Sequence, residues 1–322
     1  MTTGATSPLA SLAGSHLLSI TDLDRDQILA IVENAIAIKK HPPTDAPLGG
    51  LSAALIFEKP SLRTRVSFEV GLFRLGGQGV YLDHSASPIG QRESVKDLAG
   101  YLQRTVQAIV ARVNSHAVLR ALASASSVPV INALSDLEHP CQALADLVTI
   151  RERAGRLEGV RLAYVGDGNN VCHSLMLAGA AVGMHVTVVT PKGREPRNEF
   201  VSAAVRLAEQ AGTEIEITND PDAVENRDVV YTDTWASMGE PELTPEKAAA
   251  FEPYRVTPAM MSRAGGGAVF MHCMPAHRGE EVDAEVIDGP SSVVYDQAEN
   301  RQYAQNALML ALMGPRTGST EE

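Results

Sequence analysis

Three short segments of this 322-residue chain put chemically capable side chains at predicted element boundaries. The first, FEKPSLRTR at 57–65, leaves a strand, turns at Pro60 and opens a helix with two hydroxyls and two guanidiniums. A helix start carries unpaired N–H groups and partial positive charge, so Arg63 could fork onto a phosphate while Ser61 and Thr64 donate to it. The second, HPCQ at 139–142, opens another helix. His139 and Gln142 stand three apart and face the same way, and a neutral imidazole beside an amide can polarise a carbonyl oxygen. The third, HCMP at 272–275, follows a strand and offers the Cys273 thiol with backbone carbonyls able to accept from an amine. Taken singly, each also reads as ordinary structure, the first as an N-cap serine followed by a solvated basic turn.

The elements that must position these groups alternate. Apolar spacing predicts a helix over 20–40 with Thr21 as N-cap, then a breaker, HPPTDAPLGG. Strands are expected at 53–57, near Val80, at 108–113 and at 128–133, with helices over 61–75, 94–104, 117–125 and 140–154 between and after them. The polar stretch RAGRLEG reads as a hinge, after which strands at 162–165, 186–190, 214–217, 229–232, 268–272 and 293–295 alternate with helices and lead to a last helix over 297–313. The fold class is therefore α/β: two lobes, each a parallel sheet flanked by helices, with the active site expected in the cleft between them, at the carboxyl ends of the strands.

Composition narrows the function. With 44% apolar and 20% charged residues the chain has ample material for two cores. Its formal charge of −12 argues against a general grip on nucleic acid or an anionic membrane, so an anionic ligand needs a local cluster of cations. The apolar run Ala307 to Met313 is far short of the roughly 20 residues of a membrane span, and the N-terminus has no positive n-region. Cys141, Cys172 and Cys273 form no C-x-x-C, which fits a reducing cytoplasm. GDGNNV at 166–171 resembles a dinucleotide fingerprint but has Val171 at the third glycine and no acidic ribose partner, and the His139, His272 and Cys273 spacing is poor for zinc. Neither cofactor nor metal is expected.

Together, SLRTR at 61–65, HPCQ, GDGNN, DTWASMG at 233–239, HCMPAHRGEE at 272–281 and AENR at 298–301 resemble the ornithine carbamoyltransferases in order and spacing across nearly the whole chain. The wider family includes aspartate carbamoyltransferases, and DTWASMG with HC-x-P favours the ornithine branch. The resemblance implies carbamoyl transfer from carbamoyl phosphate to the δ-amine of ornithine, giving citrulline and phosphate without a cofactor. It implies that residues 1–148 form a carbamoyl phosphate-binding domain on which a C-terminal helix, 301–322, packs back, and that 149–300 form an amino-acid-binding domain. By the same resemblance Ser61, Arg63, Thr64 and Arg112 grip the phosphate. His139, Gln142 and Arg301 contact the carbamoyl group. Asn170, Asp233, Ser237 and Met238 hold the amino acid, and Cys273 with the Met274 carbonyl sits beside the attacking amine. A cytoplasmic homotrimer, or a multiple of it, is implied as well.

The sequence departs from the family pattern on the donor side. Leu62 stands where a threonine is usual in S-T-R-T-R; its side chain could pack on an apolar stripe with Val66, Val70 and Phe73, while its backbone N–H still serves the phosphate. Pro88 replaces a Gln or His that in the family reaches a neighbouring subunit's site, and Leu98 and Gly100 replace a hydroxyl and a cation in the next helix. These changes leave open a relative acting on another amine, or a catalytically silent paralogue.

Overall fold

The computed structural model describes residues 8–236 and 244–314. The chain divides into two compact units, Met1–Ala145 with Asn300–Glu322, and Asp146–Glu299.

In the first unit, α1 (Arg25–Lys40) opens on a capping box in which Asp24 and Gln27 bond each other's backbone N–H, and its last turn carries Lys39 and Lys40. Thr21 is not the cap: it lies in a single 3-10 turn, Ile20–Asp22, capped by Ser19. Asp24 prevails because it supplies an acceptor one residue before the helix and Gln27 reciprocates. The sheet follows as β1 (Ser52–Phe57), β2 (Gln78–Asp83), β3 (Ala108–Arg112) and β4 (Val130–Leu134), with α2 (Leu62–Arg74), α3 (Val95–Leu102) and α4 (His116–Ala125) as crossovers. All strands run parallel in the order β2-β1-β3-β4. The chain goes to one side from β1 and returns to the other with β3, so the topological switch lies between these two strands, where Phe57 pairs with Arg112. Ligands of open α/β sheets bind outside the carboxyl ends at such a switch.

Helix α2 presents Thr64, Ser67, Phe68, Gly71 and Leu72 inward at helical spacing. The apolar stripe that Leu62 could have joined does not pack: Leu62 is 75% exposed, Phe73 79%, and Val66 is exposed too. Gly71 lies on the inward face, where a Cβ would stand 2.3 Å from Asn306 Oδ1 and force that side chain to shift.

Helix α5 (Pro140–Ala154), opened by proline at its first position, carries the chain across the boundary between the units. The second unit contains β5 (Arg161–Val165), α6 (Asn170–Ala181), β6 (His185–Val189), α7 (Asn198–Ala211), β7 (Ile215–Thr218), β8 (Val229–Thr232), α8 (Pro245–Phe251), α9 (Pro258–Ala264), β9 (Val269–His272), α10 (Ala284–Ile287) and the start of α11 (Val294–Met313). Its sheet is parallel in the order β7-β6-β5-β8-β9, which places the switch between β5 and β8. The strand expected at 293–295 does not form. Ser292 makes one bridge to Phe270 and Val293 donates one bond to its carbonyl, after which α11 begins at Val294. The β-branched pair Val293-Val294 suggested a strand, but the helix that follows extends back through it. No helix among the described residues is long and apolar enough to cross a membrane.

Candidate active site

The first switch point carries the 57–65 segment and Arg112, the second carries GDGNN and Asp233, and HPCQ and HCMP follow the neighbouring strands β4 and β9. At the end of β1, Ser61 caps α2 with extended backbone, and its hydroxyl donates to Thr64 Oγ1 at 3.0 Å rather than accepting from a helix N–H. Arg301, on α11, donates through Nη2 to the same Thr64 oxygen at 2.7 Å, buried. With both acceptor positions occupied, the Thr64 hydroxyl has only its proton left to offer a ligand. Arg112 at the end of β3, His139, Gln142 and Arg301 are all buried. Burial pushes the His139 imidazole well below its usual range, and the Arg301 and Arg112 charges push the same way. The ring is thus neutral at physiological pH and can donate one hydrogen bond without carrying charge. Arg63 is half-exposed, and Leu62 brings no polar side chain to this end.

The second unit assembles a different set. Gly168 makes GDGNN a packing turn as well as a helix start: its N–H donates to Arg194 O, and a Cβ there would meet Pro196 N at 2.3 Å. Asn169, the N-cap of α6, accepts from Val171 and Cys172 N–H and from the Tyr164 hydroxyl through Oδ1. Its Nδ2 donates to Asp233 Oδ2 at 2.8 Å. The Cys273 thiol donates to the other carboxylate oxygen, Oδ1, at 3.0 Å. Asp233, at the end of β8, is therefore fixed from both sides beside Cys273, which follows β9. Beneath them Tyr164 and Tyr231 stack at 5.8 Å, and burial raises both phenols well above their usual range.

The HCMP turn is held by its histidine. His272 Nδ1 accepts from the Met274 N–H at 2.8 Å, and Met274 takes φ +59°, a left-handed conformation unusual for a side chain of its size. Asp233, His272 and Cys273 bring ligand atoms within 4.8 Å of one another. An ion there would have to break one of the His272 bonds, that to Met274 or that to Glu281, and the bond of Cys273 to Asp233.

Of the sequence-predicted site residues, Ser61, Thr64, Arg112, His139 and Arg301 interact within the first unit, and Asp233 and Cys273 within the second, where Asn170 and Met274 stand next to Asn169 and Cys273 in the chain. Ser237 and Met238 lie outside the described residues. Glu58, Tyr164 and Asn169 were not singled out by sequence reasoning. Asn169 at least had a signal, an asparagine immediately before an apolar helical run.

Residues 15–152 match the family model described as the carbamoyl-P binding domain of aspartate/ornithine carbamoyltransferase, and residues 158–312 match its Asp/Orn binding domain. The chain is 47% identical over 309 residues to an ornithine carbamoyltransferase of Bacillus thuringiensis subsp. konkukian, covering 96% of this chain and 97% of that one. It is 49% identical over 296 residues to one from Methanobrevibacter smithii, covering 92% and 98%. The solved ornithine carbamoyltransferase of Pyrococcus furiosus superposes with a TM-score of 0.91 at 46% identity, over 94% of this chain and 98% of that one. Two family models spanning most of the residues, relatives at this identity and matching architecture lead to one statement: the chain belongs to the aspartate/ornithine carbamoyltransferase family.

Proposed function

We propose that the protein transfers the carbamoyl group of carbamoyl phosphate to the δ-amine of L-ornithine, giving L-citrulline and phosphate, with no metal or organic cofactor. The observation that carries this reading is that one unit holds a guanidinium and hydroxyl cluster and the other a carboxylate–thiol pair, in a chain whose relatives bear that name.

Ser61, Arg63, Thr64, Arg112 and the Leu62 backbone N–H grip the phosphate. Attack on the carbamoyl carbon builds negative charge on its oxygen, and neutral His139, Arg301 and Thr64 are donors set before that charge appears, with Gln142 on the carbamoyl amide. A fixed set costs no reorganisation in the transition state. Asn170, Asp233, Ser237 and Met238 hold the amino acid, Asp233 on its α-ammonium. Cys273 and the Met274 carbonyl orient the δ-amine. That amine must lose a proton to expose its lone pair, and the departing phosphate is a competent acceptor. Alignment of two small molecules supplies several kcal/mol more.

A citrulline assay with carbamoyl phosphate and a panel of diamino acids tests the reading. Turnover confined to ornithine supports it; turnover only with another amine, or binding without turnover, overturns it.

We also infer a cytoplasmic homotrimer, or a multiple of it, acting in arginine biosynthesis. Supporting the assembly, α2 exposes Leu62, Val66 and Phe73 on one face, while β2, the 84–93 loop and α3 line a cavity of about 570 Å³ with Val80, Leu82, Pro88, Leu98 and Tyr101. A ridge and a hollow on different faces of one chain suit a heterologous ring. Sedimentation equilibrium showing a stable monomer would exclude it.

A further inference from the structure

Glu58, the first residue after β1, is 6% exposed, and both oxygens of its carboxylate are bonded to backbone amides. Oε1 accepts from the Ile89 N–H at 2.8 Å, and Oε2 accepts from the Asn114 N–H at 2.6 Å. Its own backbone N–H donates to Arg112 O at 2.9 Å. One side chain therefore gathers the carboxyl ends of three adjacent strands: its own, β2 through the 84–93 loop, and β3 through the turn after Arg112. Two of these segments carry groups assigned to the phosphate, Ser61 to Thr64 and Arg112, and the third carries Pro88, one residue before the bonded amide.

We propose that Glu58 is a positioning residue of the phosphate end, its carboxylate clamping the Ile89 and Asn114 amides so that the phosphate loop, Arg112 and the 84–93 loop keep one relative geometry. The inference rests on the carbamoyl-transfer reading for its kinetic consequence, though not for the clamp itself. Two strong amide donors need two acceptor oxygens on one rigid group, which an ionised carboxylate supplies. An amide of the same shape supplies one oxygen and confronts the other donor with N–H groups. Holding guanidiniums and hydroxyls within a few tenths of an ångström of the phosphate is what makes binding productive, and a clamp one step removed sets that tolerance.

The test uses the full chain with Glu58→Gln and, as a variant that keeps the charge but has a shorter reach, Glu58→Asp. In Glu58→Gln, hydrogen exchange of the peptides containing Ile89 and Asn114 is expected to accelerate at least tenfold, and kcat/KM for carbamoyl phosphate to fall at least tenfold. KM for ornithine should stay within twofold and Tm close to wild type, with Glu58→Asp intermediate in each readout. Unchanged exchange overturns the clamp. So does an activity loss that follows Tm at constant KM, which marks a merely structural carboxylate. Absence of turnover in the wild type would remove the catalytic reading while the exchange result still decides the clamp.

Discussion

His272 and Glu281 form a fully buried pair, imidazole Nε2 standing 3.2 Å from carboxylate Oε1. Because Nδ1 already accepts from the Met274 N–H, the ring proton sits on Nε2 and points at Glu281. Neither nitrogen is left to act as a base toward Cys273. His272 is a strut: Glu281 fixes its tautomer, and the tautomer fixes the turn that presents the thiol and the Met274 carbonyl.

Glu281 also accepts from the His277 N–H, so Glu281→Ala leaves one buried and one part-buried donor unmade. The expected cost is about 2 to 4 kcal/mol of stability, with a matching fall in kcat as the turn loosens. Glu281→Gln keeps an acceptor oxygen and should cost about 1 kcal/mol or less. Denaturant unfolding and steady-state rates measured on both variants check this, and equal damage from the two would refute the strut.

Asn169 does two separable jobs, capping α6 through Oδ1 and holding Asp233 through Nδ2. Asn169→Ser keeps a good cap but has no second donor. The expected outcome is stability within about 0.5 kcal/mol of wild type and a KM for ornithine raised by roughly tenfold or more, the value of one hydrogen bond to a charged group. A KM that stays flat would remove Asn169 from the control of Asp233.

Much of this architecture was readable in the chain, for local reasons. Helix α5 begins and ends where expected because Pro140 suits a first helical position and Gly155 takes φ +71° just past the end. Which face of α2 is buried was not decided by the sequence. Both faces carry apolar residues, and the inward one includes Thr64 and Ser67, whose hydroxyls a hydrophobicity pattern counts as surface. Glu58 was invisible for a different reason: its partners are backbone amides 31 and 56 residues away, and backbone groups leave no residue-type signature. His272 and Glu281 lie within the one segment HCMPAHRGEE, but nothing in their spacing says that the carboxylate orients the ring.

His139 makes a pH prediction with a definite sign. Burial, then Arg301 and Arg112, hold its folded pKa well below 6.5, whereas the unfolded chain protonates it near that ordinary value. As pH drops below 6.5 the unfolded state gains a proton that the folded state refuses, so stability present above 6.5 is lost toward acid. One proton limits the slope to about 1.4 kcal/mol per pH unit. Comparison with His139→Asn isolates this ring from His16 and His116, which burial also lowers. The variant should show the shallower acid limb, and the wild-type ring should give no NMR titration between pH 8 and 6. A midpoint near the ordinary value would contradict the neutral donor assigned to it.

Leu62 offers the most direct test of the donor side, because its side chain opens α2 at 75% exposure and contributes nothing to the core of its unit. Leu62→Thr adds a hydroxyl at a helix start that already gathers Ser61, Thr64 and Arg301. The substitution should leave unit stability within about 0.5 kcal/mol, and one more phosphate contact worth about 0.5 to 1.5 kcal/mol lowers KM for carbamoyl phosphate by roughly two- to tenfold. KM for ornithine should not move. The same leucine lies on the outward face with Val66 and Phe73, so sedimentation of the variant separates two roles. A tighter KM with unchanged assembly means that the chain forgoes a phosphate hydroxyl at this position. An unchanged KM with weaker assembly means that Leu62 serves contact between copies, and that the backbone N–H alone meets the phosphate there.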